Sequence, residues 1–245
     1  MKTILLCMGL LNAFCVSAQT TRKVVDNEDL NIREKYYVLK TDKQIKQGKY
    51  QAFSLFGDHL ICEGYYKNNL KDSLWTFYSL REKQIETGLY KDGEKTGIWK
   101  GVNADGTLNV EYDFTNNTLM YFQPSTRDTG KFRVINGADT TKVYVDRPPI
   151  YLDGVERFWA VMITGMRYPI SARTNAVQGK VIVAFTINER GESSDYHIKH
   201  SIGADCDQEA LKAIKRAGGY WLPAILNGKQ VAVEYQVPIS FTMGN

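Results

Sequence analysis

Hydrophobic and polar positions alternate with a period of two along two stretches in the last third of the chain. In the first, Val177, Gly179, Val181, Val183, Phe185 and Ile187 alternate with mostly polar neighbours. In the second, every odd position is apolar: Val231, Val233, Tyr235, Val237, Ile239 and Phe241. The pattern predicts antiparallel strands with one covered face. Between them, Asn188-Glu189-Arg190-Gly191 reads as a turn, and Tyr196 and Ile198 mark another strand. A helix follows, with Cys206, Ala210, Ala213, Ile214 and Ala217 as its buried stripe and Gly218-Gly219 as its end. Asp205 is its predicted cap, with Gln208 reaching back. Upstream, Val155, Phe158, Trp159, Met162 and Ile163 share one helical face, with Asp153 as cap and Gly165 as stop. Pro169 suits the first turn of a further short helix, with Ala172 and Ala176 facing inward.

The segment 36–114 repeats itself. Gly64-Tyr65-Tyr66-Lys67 recurs as Gly88-Leu89-Tyr90-Lys91, and Ser73-Leu74-Trp75 as Gly97-Ile98-Trp99, both at an offset of 24 residues. Gly48, Tyr50 and Phe53 carry the same spacing one unit earlier, in degraded form. Asp92-Gly93 and Asp105-Gly106 are tight-turn dipeptides between aromatic-rich strands. A hairpin of this kind cannot bury its aromatic face alone, so neighbouring units must stack. Recurrence at structural positions makes Tyr50, Tyr66, Trp75, Tyr90 and Trp99 a core rather than a stacking surface for a glycan or partner. The predicted organisation is a flexible lead-in over 19–35, a β-hairpin repeat domain over 36–122, a connector with one hairpin over 123–148, and a second domain over 149–245. Arg147-Pro148-Pro149 marks the boundary, since paired prolines hold the chain extended.

Composition adds little: 43% hydrophobic and 24% charged residues suit a globular protein. The formal charge of +4 is scattered, without the basic tract that nucleic acid requires. The first residues change the picture more. A basic Lys2, an apolar run from Ile4 to Val16 and the small-residue exit Val16-Ser17-Ala18 form a signal-peptide pattern over 1–18, cleaved after Ala18. The run falls short of the ~20 residues of a spanning helix. Phe14 stands before Cys15 where a lipid-modification box needs a small residue. The mature chain is therefore expected in the periplasm, touching membranes only through partners. Cys62 and Cys206 would remain, the latter read as a buried free thiol.

Catalysis finds no support. His197 and His200, three apart on a strand, point to opposite faces and cannot share a metal. Asp205-Cys206-Asp207 has no neighbouring base to activate the thiol. No phosphate-binding, dinucleotide or nucleophile-elbow motif occurs. The expectation is a non-enzyme without cofactor or metal.

Five signals stand in a fixed order: Tyr168-Pro169, the strand Gln178-Gly179-Lys180-Val181-x-Val183-x-Phe185, the helix Asp207-x-Glu209-Ala210-Leu211, Trp221-x-Pro223, and the final alternating strand. Together, over roughly 149–243, they resemble the C-terminal domain of TonB, the periplasmic protein that pulls on outer-membrane transporters. The upstream repeats are similar to MORN-type repeats of bacterial envelope proteins. The fold class so implied is a mainly β hairpin-repeat domain plus an α+β domain, whose two-to-three-stranded antiparallel sheet is packed by helices. The resemblance implies that an extended transporter segment, the TonB box, adds as a strand. It assigns Tyr168 and Pro169 to the motif beside the site, and Val231, Val233, Tyr235 and Val237 to the pairing strand. The implied partner is an outer-membrane TonB-dependent transporter or a similar envelope protein. A homodimer by strand exchange is compatible with the same edge. The alternative is a non-catalytic envelope or cell-wall adaptor that binds through its repeats and self-associates through its C-terminal domain. Two features depart from a full energy transducer: a signal replaces the membrane helix, and only 6 prolines rule out a long Pro-rich spacer.

Overall fold

The computed structural model describes residues 19–28, 30–124, 130–137 and 139–243; the predicted signal peptide lies outside them. The chain first lays down nine antiparallel strands in sequence order: β1 (Thr20–Asn27), β2 (Ile32–Leu39), β3 (Lys46–Ser54), β4 (Leu60–Lys67), β5 (Leu70–Tyr78), β6 (Gln84–Lys91), β7 (Glu94–Val102), β8 (Leu108–Asp113) and β9 (Thr118–Phe122). The lead-in expected over 19–35 is therefore wrong. β1 pairs residue for residue with β2, and Arg33 grips Asp26 at 2.7 Å. An edge strand is held by its main-chain ladder, so the absence of apolar periodicity did not exclude it.

The 24-residue repeat has a physical basis. Trp75 and Trp99, each 1% exposed, lie flat on Gly64 and Gly88 of the preceding strands. A Cβ on either glycine would fall 2.3 Å or 2.2 Å from the indole. The indole N–H groups donate to the Tyr65 and Leu89 carbonyls at 3.1 and 3.0 Å. Asn68 and Asn69 both take positive φ, as do Asp92 and Gly93, so the two turns are equivalent despite their different residues. Tyr66 and Tyr90 meet Trp75 and Trp99 edge-on at 5.3 and 5.0 Å. The aromatics are thus the core of this sheet.

The remaining elements are β10 (Phe132–Asn136), β11 (Asp139–Val143), β12 (Ile150–Tyr151), α1 (Val155–Gly165), α2 (Ile170–Thr174), β13 (Gly179–Ile187), β14 (Ser193–His200), α3 (Ala204–Ala217), β15 (Trp221–Leu222), β16 (Ala224–Leu226) and β17 (Lys229–Phe241). Their sheet has the order β11-β10-β17-β13-β14, with β16 on the start of β17. It is a six-stranded sheet, not the two or three strands expected, because the hairpin read as a connector belongs to it. β12 and β15 pair separately. Helices α1 and α3 cover one face, burying Phe158, Met162, Cys206, Ala210, Ala213 and Ile214 against Val181, Val183, Phe185 and Val237. Cys62 and Cys206 are both buried, unbonded thiols.

Local corrections follow from longer-range partners. Asp153 does not cap α1; it pairs with Lys95, and Asn109 on β8 accepts the Val155 N–H at 3.1 Å instead. Asp205 and Gln208 do not form the box on α3. Gly203 is the cap, Asp207 reaches back to the Ile202 N–H at 3.3 Å, and Asp205 accepts the Ser171 hydroxyl. Ala172 is buried as expected, but Ala176 lies past the end of α2 at φ 53° and is exposed. Ile163, expected on the core face of α1, is 50% exposed.

Candidate functional site

Strand β17 is where the sequence-derived site residues converge, and its two sides differ. Along one side, Val233–Phe241 pair continuously with Ile187–Gly179 of β13. Along the other, Lys229, Gln230 and Val231 pair with β16, and Ala232, Val233 and Glu234 pair with Ile135, Val134 and Arg133 of β10. From Tyr235 onward that second side faces no strand among the described residues. The first half of the pairing strand assigned by resemblance is therefore already filled by the chain itself, which corrects the expected edge. The open stretch is Gln236–Phe241.

Val231 is half-buried opposite Ala224, and Val233 is fully buried between Val134 and Ile187. Tyr235 stands opposite Phe185, with its ring stacked on Phe132 at 6.3 Å and tilted against Trp221 at 5.2 Å. Val237, 1% exposed, faces the helices. Tyr168 packs edge-on against Phe241 at 5.6 Å and donates its hydroxyl to the Val177 carbonyl, while Pro169 starts α2. Tyr168 therefore braces the C-terminal end of β17. The odd residues of β17 form a packed face, and its even residues Gln236 and Ser240 are exposed.

Pro238 shapes the open edge. It stands opposite Ile182 within an unbroken ladder, so its missing N–H must point away from β13. By the same alternation, Gln236 and Ser240 present backbone N–H and C=O groups to the open side. Proline within an otherwise alternating strand was a legible edge signal that pointed to Gln236, Pro238 and Ser240. At the boundary with β10, Glu234 takes the charge of Arg133 at 3.8 Å and Lys199 at 3.1 Å. Burial would raise its pKa, but hydrogen bonds from Gln236 and Lys199, aided by the Arg133 charge, hold it below the usual carboxylate range.

A second polar centre joins this domain to the repeat sheet. Lys95, 5% exposed, binds Glu86 at 2.5 Å and Asp153 at 2.6 Å, and Arg157 of α1 reaches Glu86 at 3.4 Å. Gly101 and Gly154 let the two backbones touch, since a Cβ on Gly154 would lie 2.9 Å from the Gly101 Cα. Burial, aided by the nearby Asp153 carboxylate, raises Glu86 from 4.5 to about 7 despite its two cations. The folded chain therefore holds this proton more tightly than the unfolded chain. The stabilisation is complete below about pH 4.5 and is lost as pH rises through about 7. In thermal unfolding across that window, Glu86→Gln is expected to remove part of the downward slope seen in the parent. Parallel curves for the two proteins would refute the assignment. Among the described residues, no cluster of His, Cys, Asp or Glu could hold a metal.

No curated protein matches the chain. Among solved structures, the C-terminal domain of TonB from Helicobacter pylori is 24% identical, covering 36% of this chain and 80% of that one with a TM-score of 0.28. TarM from S. aureus, in complex with Fondaparinux, alpha-GlcNAc-glycerol and UDP, is 14% identical over 41% of this chain and 21% of its own, with a TM-score of 0.24. A second TarM structure gives 12%, 42%, 21% and 0.25. At such scores none superposes on the chain as a whole. The family match is more local: residues 164–243, from the end of α1 through β17, match the family of the Gram-negative bacterial TonB protein C-terminal.

Proposed function

We propose that the chain is a non-catalytic, TonB-like protein of the Gram-negative envelope whose C-terminal domain binds an outer-membrane transporter by strand addition. The carrying observation is the coincidence of the family match over 164–243 with a main-chain edge, Gln236–Phe241, that faces no strand on its second side among the described residues, on the strand that the resemblance assigns to the partner. An extended segment laid there would continue the line of β10, meeting the donors and acceptors of Gln236 and Ser240. Periplasmic location and MORN-like repeats belong to the same reading. The repeat sheet then serves as the body to which the binding domain is fixed, through α1 and the Lys95 cluster.

A proline at Gln236 tests this without touching the core. Its N–H is not used by β13, so Gln236→Pro removes a backbone donor only from the open edge, together with the side-chain hydrogen bond to Glu234. The expected result is at least tenfold weaker binding of a TonB-box peptide in fluorescence anisotropy, about one lost hydrogen bond plus local mismatch. The circular dichroism spectrum should be unchanged. Unaltered affinity would exclude pairing at this edge.

A further inference from the structure

Beside the open stretch of β17 lies a cavity of about 210 Å³, bounded by β10, β17 and the first turns of α1. It is smaller than the roughly 300 Å³ at which pockets for drug-sized ligands begin, so it suits one or two side chains. Phe132, Phe158, Trp159 and Tyr235 supply aromatic walls. Lys131, Arg133 and Lys142 also line it, and among the described residues no Asp or Glu does. Arg133 is drawn towards Glu234, and Lys131 lies over the Tyr144 ring at 5.2 Å. Lys142, exposed on β11, has no ion pair among the described residues. The lysines and the aromatic walls from β10 and α1 fall outside residues 164–243, so the cavity is an addition of this chain to the matched domain.

We infer that this cavity reads the side chains of an acidic peptide segment, seating an apolar or aromatic residue between Phe132 and Trp159 with carboxylates at Lys131 and Lys142. The inference rests on the strand-addition reading, which supplies the segment's backbone at Gln236–Phe241. Pro238 withholds a donor from the middle of that ladder, so main-chain pairing alone is short there. Side-chain recognition in the adjoining cavity compensates, and the lysines on its rim select negative charge.

Two synthetic peptides test it on the full chain. Both alternate valine and threonine around a phenylalanine; one carries flanking glutamates, the other lysines in their place. The glutamate peptide should bind about tenfold more tightly in calorimetric titration, the upper range for two rim charge pairs. The double charge reversal Lys131→Glu with Lys142→Glu, at two exposed positions, should invert that preference. Equal affinity for both peptides, with amide shifts still mapping to Gln236–Phe241, would overturn the inference and leave strand addition standing. No shift with either peptide would remove both. The comparison on the unaltered chain decides the matter even if the charge-reversed variant fails to fold.

Discussion

Trp99→Ala is expected to destabilise the protein by about 3–5 kcal/mol, the range for emptying a large aromatic site in a packed core. Its ring is 1% exposed, donates to the Leu89 carbonyl at 3.0 Å and meets Tyr90 edge-on at 5.0 Å. It also carries the Lys95 ammonium 3.7 Å above its centroid. Alanine would leave an open floor beneath a buried cation, since Gly88 has no side chain to collapse into the gap. Urea unfolding measures the loss, with Leu74→Ala at a 54% exposed position as the control expected to change little. A cost for Trp99→Ala below about 1 kcal/mol would mean that the repeat aromatics are a surface and not a core.

Lys95→Met is the second large effect, expected at about 3–5 kcal/mol because it strands Glu86 and Asp153 in the joint without their shared cation. Arg157 still reaches Glu86 at 3.4 Å, but among the described residues no other cation pairs with Asp153. Adding Glu86→Gln should recover part of the loss, since it removes one of the two stranded carboxylates. The deficit of Lys95→Met should also grow as pH rises through about 7, where Glu86 ionises. Denaturant unfolding of the parent, both single variants and the double variant at two pH values closes the cycle. Strict additivity would show that these groups do not act together.

Elements specified by their own residues were legible in the sequence. The odd-numbered apolar set Val231 to Phe241 predicts β17, and the Cys206-Ala210-Ala213-Ile214 stripe predicts α3, because each pattern answers to a face buried along one element. What could not be read was pairing at a distance. Phe132 and Val134 announce a strand, but nothing local says that it lies along Ala232–Glu234 and fills half of the expected edge. Asp153 looks like a cap until Lys95 competes for it, and Asn109 gives no sign that it holds the start of a helix 46 residues onward. Lys46, Lys71 and Lys95 recur at 25 and 24 residues, but their spacing alone does not say what they meet. In the fold each lies over rings of its own and neighbouring hairpins. Burial lowers the pKa of Lys71 there. At the binding strand, the pattern revealed which face is buried, whereas the free edge depends on which strand arrives beside it.

The most direct measurement is a backbone amide titration of the full chain, followed by NMR, with a peptide from the TonB box of a transporter. The account predicts shifts centred on Gln236 to Phe241 and the facing residues Lys131 to Arg133, with the ladder between β10 and Ala232–Glu234 intact. Shifts centred on Val231 to Glu234, with β10 released, would contradict the location of the site. Shifts confined to the repeat sheet would contradict the function.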